Sequence, residues 1–293
     1  VSPGLWLEAA RPKTLPAAAA PVLVGMAVAV HDGVFHPVAA LLALLSALCI
    51  QVATNFHNDV ADFEKGADRD DRLGPRRLVS AGLIGPAAMR RATYLTFGAA
   101  VVAGTWLMIR GGWPIVMIGV ASIACGLAYT GGKRSLAYLG IADLFVFVFF
   151  GPVAVAGTYF VQALSWSTAA WIAGLGPGAL SVAILLVNNI RDVEQDIASG
   201  KRTLVVRIGR TGGMRLYAAC CALALTVPVA LLLFDMASWA ILLALAAAPA
   251  IVLTLRDLAS VPADEAIRLN PLLGRTARNL LVYCALLSVG WVL

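Results

Sequence analysis

The sequence predicts an all-α, polytopic membrane protein: nine transmembrane helices, arranged as two four-helix pseudo-repeats plus a ninth helix, with a cytoplasmic N-terminus. Three observations predict it. Hydrophobic residues make up 60% of the chain and charged residues 13%, whereas a soluble domain carries about 25% charge. Apolar stretches of about 20 residues, the length that crosses a bilayer, recur from one end to the other. Two of the polar segments between them repeat each other. No hydrophilic stretch is long enough for a separate domain, so residues 1–293 are read as one integral-membrane domain.

Taken in order, apolar runs bounded by charge, Gly or Pro place the helices near Leu15 to Val30, Pro37 to Phe56, Ala92 to Ile109, Trp113 to Tyr129 and Leu139 to Gln162. Trp171 to Asn189, Tyr217 to Phe234, Trp239 to Leu255 and Ala277 to Leu293 complete the set. The first follows Arg11-Pro12-Lys13 without a signal-peptide cleavage pattern and is expected to stay as a helix. Every Lys and Arg except Arg110 falls in the N-terminal segment or in the loops after helices two, four, six and eight. The positive-inside rule puts those loops in the cytoplasm and the loops around Asp32, Arg110, Ser165 and Asp235 outside. The same distribution accounts for the net charge of +6 through the bilayer and anionic lipid, so no nucleic-acid partner is expected. The five cysteines lie in or beside apolar spans with no C-x-x-C pair, which excludes a zinc or disulfide framework.

The chemistry sits in the repeat. Asn58-Asp59-Val60-Ala61-Asp62-Phe63-Glu64-Lys65 ends helix two, and Asn188-Asn189-Ile190-Arg191-Asp192-Val193-Glu194-Gln195 ends helix six, 130 positions later. Four helices separate them, an even number, so both emerge on one membrane face, related by an axis along the membrane normal. If helicity continues, Asn58 and Asp62 share one helix face, as do Asn188, Asp192 and Asp196. Asp68 joins them only if the chain bends at Gly66. Two unit charges 4 Å apart cost about 4 kcal/mol at an effective dielectric of 20, so converging carboxylates require a cation between them. Oxygen donors without a His or Cys cluster suit Mg²⁺, with Asp59, Asp62, Asp68, Asp192 and Asp196 as candidate ligands. Basic residues follow each segment: Lys65, Arg69, Arg72, Arg76 and Arg77 after the first, Arg191, Lys201, Arg202 and Arg207 after the second. A metal-bridged basic site opening onto lipid fits an amphiphile with a diphosphate head and a long apolar tail.

These motifs resemble the UbiA-type superfamily of membrane prenyltransferases. Arg11-Pro12-Lys13-Thr14-Leu15, Asn55-x-x-Asn58-Asp59-x-x-Asp62-x-x-x-Gly66-x-Asp68, Asp71-Arg72-x-Gly74-Pro75, Tyr129-Thr130-Gly131-Gly132-Lys133 and Asn188-Asn189-x-Arg191-Asp192-x-x-x-Asp196 followed by Gly200-Lys201-Arg202-Thr203-Leu204 are similar to the branch that prenylates 1,4-dihydroxy-2-naphthoate in menaquinone synthesis. The superfamily's commoner first motif has an Asp four residues after its second Asp; here that position is Gly66 and the acid is Asp68. The resemblance implies nine helices and Mg²⁺ held with a polyprenyl diphosphate by Asp62, Asp192 and Asp196, with Asn58 and Asn188. Lys133 and Arg202 are the implied diphosphate contacts, supported by Arg72 and Lys201. The implied reaction ionises the allylic C–O bond, shields the cation with aromatic side chains, and attaches the tail to the naphthoate with loss of CO₂. Tyr129, Phe147, Phe150 and Tyr159 are the candidate shield.

Asp143, at the start of helix five, is the intramembrane acid outside the motifs, and is read as a base or orienting group for the acceptor or as a snorkelling helix-end charge. His57 reads as an interfacial packing residue. Other acceptors, such as 4-hydroxybenzoate or homogentisate, would leave the diphosphate half alike. A secondary transporter also shows internal repeats, but its polar residues sit near the midplane and these sit at one end.

Overall fold

The computed structural model describes residues 2–66, 73, 74, 76–131 and 135–293. Asp68, Arg69, Arg72 and Lys133 lie outside the described residues. Among the described residues the chain is helical with no strand, and nine spans are long and apolar enough to cross a membrane: α1 Pro3–His31, α2 Pro37–Glu64, α3 Pro86–Gly111, α4 Trp113–Thr130, α5 Ala142–Ala163, α6 Thr168–Arg191, α7 Leu204–Leu233, α8 Trp239–Ser260 and α9 Ala266–Val292. The protein is therefore a multi-pass membrane protein of the predicted helix count.

Local chemistry sets the boundaries. His36 caps α2, its Nδ1 accepting from the Ala39 N–H at 3.3 Å, and Pro37 occupies the first helical position. Ser167 and Thr203 cap α6 and α7 in the same way, accepting from Ala170 and Val206 at 3.3 Å. The tight α3–α4 hairpin turns at Gly112, whose φ of 66° suits glycine.

Several spans are interrupted. α1 consists of Pro3–Ala10 and Leu15–His31 joined by a 3₁₀ turn, with Arg11 left-handed at φ 53°. Asn55 of α2 braces this break, donating to the Ala10 carbonyl at 2.9 Å and to Thr14 Oγ1 at 3.1 Å. α5 breaks at Phe150 and Gly151 between Ala142–Phe149 and Pro152–Ala163. α7 starts at Leu204, well before the Tyr217 expected from hydropathy, and is kinked at Gly209, whose φ is 74°; its first turns carry Arg207, Arg210 and Arg215 beyond the apolar stretch. There Arg210 donates to the Ile190 carbonyl at 3.3 Å and the Val261 carbonyl at 2.9 Å, tying α7 to α6 and to the loop after α8.

α6 is the central helix, its apolar window 78% buried. It packs against α1, α5, α7 and α9, where small residues allow close approach. A Cβ on Gly176 would fall 2.4 Å from Tyr283 Oη, and that hydroxyl donates to the Ala224 carbonyl at 2.7 Å. α3 and α4 turn large apolar side chains outward: Leu95, Val102, Ile109, Trp113 and Val120 are all exposed.

Candidate active site

The acidic ends of α2 and α6 lie on the same end of the bundle and are stitched together. Leu73, in the loop after α2, donates its N–H to Gln195 Oε1 at 3.5 Å and accepts from Asn270 Nδ2 at 2.9 Å. Asn270, at the start of the last α-helical stretch of α9, also accepts from Arg191 at 2.8 Å. Both motif segments end in the same way. Gly66 after α2 and Gly200 after the short helix Val193–Ala198 take left-handed φ values of 61° and 72°.

The first motif is buried. Asn58 accepts from the Thr130 hydroxyl of α4. Asp59 turns towards the following loop, its two oxygens accepting the N–H groups of Leu78 and Val79 at 3.2 and 3.1 Å; this is a loop-organising position. Asp62, 1% exposed, is paired with Arg77, itself 8% exposed. Lys65 donates to the Thr130 carbonyl and stands 4.7 Å above the Tyr138 ring.

In the second motif, Asp192 accepts two bonds of 2.7 Å from its neighbour Arg191. Asp196 is buried and lies 3.7 Å from Lys201 Nζ, which stands 5.8 Å from the Tyr138 ring. Tyr138 thus has a lysine from each motif against its ring. Burial together with the carboxylates of Asp62 and Asp196 pushes its phenol upward. Burial holds the Lys65 ammonium below the usual lysine range; Asp62 raises it in part and Lys201 lowers it further. The carboxylates of both motifs therefore act on one aromatic ring.

Above this end lies a cavity of about 470 Å³ enclosed by α1 to α6. Its motif end is polar, lined by Arg11, Thr14, Gln51, Asn55, Asn58, Tyr129 and Asn188. Towards the other end the lining becomes apolar, ending at Leu107, Met108 and Ile115. Of the expected aromatic shield, Tyr129 and Phe150 line this cavity, joined by Phe145 and Phe149. Tyr159 does not: the α5 break and nine further residues carry it to the opposite end, where its hydroxyl donates to Asp32 at 2.7 Å. Phe147 packs its carbonyl and ring edge against Gly178 of α6. Asp143 is buried in the first turn of α5, and its Oδ1 has no hydrogen-bond partner among the described residues. Arg202 is exposed, with its carbonyl packed over Gly140. His57 is a packing residue, its Nε2 3.1 Å from the Leu127 carbonyl.

Among the described residues no three His, Cys, Asp or Glu side chains form a metal-binding group. The donor set nevertheless fits Mg²⁺, which takes one or two carboxylates and completes its shell with water and phosphate oxygens. Asp62 on one helix end and Asp192 and Asp196 on the other are such donors, with no competing soft ligand among the motif residues. The cations that compensate these acids come from their own segments: Arg77, Arg191 and Lys201. Sequence reasoning missed Tyr138 and Asn270. The signal for Tyr138 was an aromatic residue in an otherwise polar loop on the motif side; Asn270 gave none.

The sequence profile of the UbiA prenyltransferase family matches residues 18–269. The chain is 37% identical over 292 residues to the 1,4-dihydroxy-2-naphthoate octaprenyltransferase of Escherichia coli (strain K12), covering 97% of this chain and 94% of that one. It is 39% identical over 221 residues to the enzyme of the same name from Mycobacterium tuberculosis, covering 75% of each. In fold it is similar to a UbiA homologue from Archaeoglobus fulgidus bound to DMAPP and Mg²⁺, with a TM-score of 0.63 at 14% identity over 97% of this chain and 99% of that one. A homologue from Aeropyrum pernix gives 0.67 at 14% identity over 92% and 97%.

Proposed function

The chain belongs to the UbiA prenyltransferase family, and from that premise we propose that it transfers a polyprenyl group from its diphosphate to 1,4-dihydroxy-2-naphthoate. CO₂ and diphosphate leave, giving the demethylated precursor of menaquinone. The single observation that carries this is the joining of two acidic helix ends, with their lysines on one tyrosine, next to an otherwise apolar cavity whose polar end is lined by Asn58 and Asn188 of the same two motifs. A diphosphate head and an isoprenoid tail need those two environments in that order. The relatives' shared naphthoate acceptor supports the acceptor.

Asp62, Asp192 and Asp196, with Asn58 and Asn188, would hold Mg²⁺, whose charge neutralises the diphosphate and makes it a leaving group. Lys65 and Lys201 sit where they can bind phosphate oxygens, and Arg72, Lys133 and Arg202 are assigned to the same head from their place in the motifs. These cations stabilise the charge that develops as the C–O bond breaks. Tyr129 and Phe150 face the cavity where the allylic cation forms, excluding water and offering their ring faces. Asp143, adjacent in the same bundle end, is assigned to orient the acceptor or take its proton. Asp59 is left to the loop it organises, and Asp68 is a further candidate ligand from its place in the first motif. The basic residues around it support a site at the cytoplasmic face of the inner membrane.

The test uses the purified protein with Mg²⁺, a polyprenyl diphosphate and, in separate reactions, the naphthoate, 4-hydroxybenzoate and homogentisate. The expected product is the prenylated, decarboxylated naphthol, identified by mass and lost on exhaustive chelation. Product from either other acceptor but not the naphthoate refutes the acceptor. Undiminished turnover after chelation refutes the metal.

A further inference from the structure

Several arginines at the motif end of the bundle have a carboxylate of their own. Arg76 pairs with Glu8, Arg90 with Glu64, Arg268 with Glu265 and Arg275 with Asp257. Arg215 of α7, Arg256 of α8 and Arg278 of α9 do not. All three are exposed, and none has a hydrogen-bond or ion-pair partner among the described residues.

These three stand at one height. α8 packs between α7 and α9, and consecutive spans run antiparallel. Arg210 of α7 donates to the Val261 carbonyl, just past the end of α8, at 2.9 Å. Arg215 lies five residues along α7 from that contact and Arg256 five residues back along α8, so both are about 7.5 Å further towards the middle of their spans. On the other side of α8, Asn279 donates to Thr254 Oγ1 at 2.9 Å and Arg275 pairs with Asp257. Arg278 is one residue from the first of these contacts and Arg256 two, which brings their Cα atoms within about 2 Å of one level. Packed helix axes stand about 8–10 Å apart, so long side chains on neighbouring helices can reach one anion.

The surroundings differ above and below this level. One turn towards the middle of the spans, Val252 and Leu253 of α8 and Leu281 and Val282 of α9 are exposed. Towards the aqueous end, Asp257 is held by Arg275, and Asp264 and Glu265 stand beyond Val261, Glu265 with Arg268. The three guanidiniums therefore mark the boundary between an aliphatic belt and water. A free anion would answer their charge and leave the aliphatic side chains uncovered; an occupant that does both has an anionic head and hydrocarbon chains.

We propose that Arg215, Arg256 and Arg278 form a binding site for an anionic phospholipid of the leaflet at the motif end, its phosphate bridging α8 to its neighbours and its acyl chains lying over Leu253 and Val282. α8 gains most from such a bridge, because its first part, Trp239–Ala247, is a 3₁₀ helix, whose hydrogen-bond geometry is poorer than that of an α-helix. None of the three arginines belongs to the diphosphate site, so the proposal does not rest on the prenyl-transfer reading.

The test titrates the protein, purified in neutral detergent, with dioleoylphosphatidylglycerol and separately with dioleoylphosphatidylcholine, and counts bound lipid by native mass spectrometry. Wild type is compared with Arg256→Gln/Arg278→Gln and with Arg90→Gln/Arg91→Gln, which removes the same charge from α3. A guanidinium near a membrane surface contributes about fivefold in affinity. The α8–α9 pair should therefore bind the first phosphatidylglycerol at least about tenfold more weakly than wild type, and the α3 pair within about threefold of it. Phosphatidylcholine should bind all three proteins alike, which also measures that each variant is folded. Equal weakening in both pairs shows a diffuse attraction and overturns the site. Phosphatidylglycerol binding unchanged in the α8–α9 pair, or a wild type without preference for the anionic lipid, overturns it as well.

Discussion

Replacing Asp192 changes more than a candidate metal ligand. Its carboxylate accepts two 2.7 Å bonds from Arg191, whose side chain is 2% exposed. Asp192→Ala would leave that guanidinium with the neutral Asn270 amide as its remaining side-chain bond among the described residues. Breaking one partner from a buried pair costs about 3–5 kcal/mol, because the other charge stays buried without compensation. For 293 residues this corresponds to a fall in Tm of about 5–8 °C on the specific unfolding entropy of globular domains. Replacing both partners, as in Arg191→Leu/Asp192→Ala, removes the stranded charge and is expected to recover most of the loss. The assay is thermal unfolding in detergent, read as monodisperse protein remaining after heating, with turnover measured on the same preparations. The double variant should regain stability and remain inactive. A single variant that unfolds with the wild type shows that the pair is not strongly coupled; a double variant that regains turnover shows that Asp192 takes no part in the chemistry.

Asp62→Asn keeps an acceptor for Arg77 but removes the charge, and should lower kcat by about 10²- to 10³-fold; more than a tenth of wild-type turnover at saturating donor contradicts its place in the site. Lys65 gives a pH prediction. Burial depresses its pKa, so as pH rises the folded chain releases this proton before the unfolded chain does. Stability rises with pH between the two values, while kcat/KM falls as the ammonium that binds the donor is lost. Lys65→Arg, with a guanidinium that stays charged, should remove this alkaline fall, and an unchanged profile would exclude Lys65 from donor binding. The Arg76–Glu8 pair, 57% and 42% exposed, should matter little: Arg76→Ala is expected to change stability by less than about 1 kcal/mol, seen as an unshifted unfolding curve.

The sequence was informative where physics acts over one helix. Apolar length gave the helix count, and the repeated motif placed two acidic ends on one face, as the Leu73 contacts with Gln195 and Asn270 now show. It was less informative where the chain is polar yet helical: hydropathy cannot see the first turns of α7, which lie beyond the apolar stretch and are held by the caps of Thr203 and the bonds of Arg210. It was silent on contacts between distant segments. Nothing in the spacing distinguishes Asp59, which turns to the Leu78 and Val79 amides, from Asp62, three residues on, which faces Arg77. Tyr159, expected in the aromatic shield, stands sixteen residues from Asp143 along α5 and so lies at the far end of that span, where its hydroxyl donates to Asp32.

Converging acids were expected to demand a cation, and the structure supplies three from the chain itself: Arg77 on Asp62, Arg191 on Asp192 and Lys201 on Asp196. A set of bare carboxylates at the edge of a hydrocarbon layer would carry a large self-energy, which pairing with a cation offsets in part. The pairing also suits the proposed substrate. A metal–diphosphate complex would present both signs of charge: Asp62, Asp192 and Asp196 would hold the metal, and a lysine paired with them would be free to take a phosphate oxygen. Partners are exchanged and no charge is stranded, which lets a site buried to this degree bind a highly charged head without first exposing it to water. Lys201 is best placed for that exchange: it is held by a ring face at 5.8 Å and a carboxylate at 3.7 Å, whereas Lys65 also donates to the Thr130 carbonyl and Arg191 is fixed by three bonds of 2.7 to 2.8 Å and stays as framework.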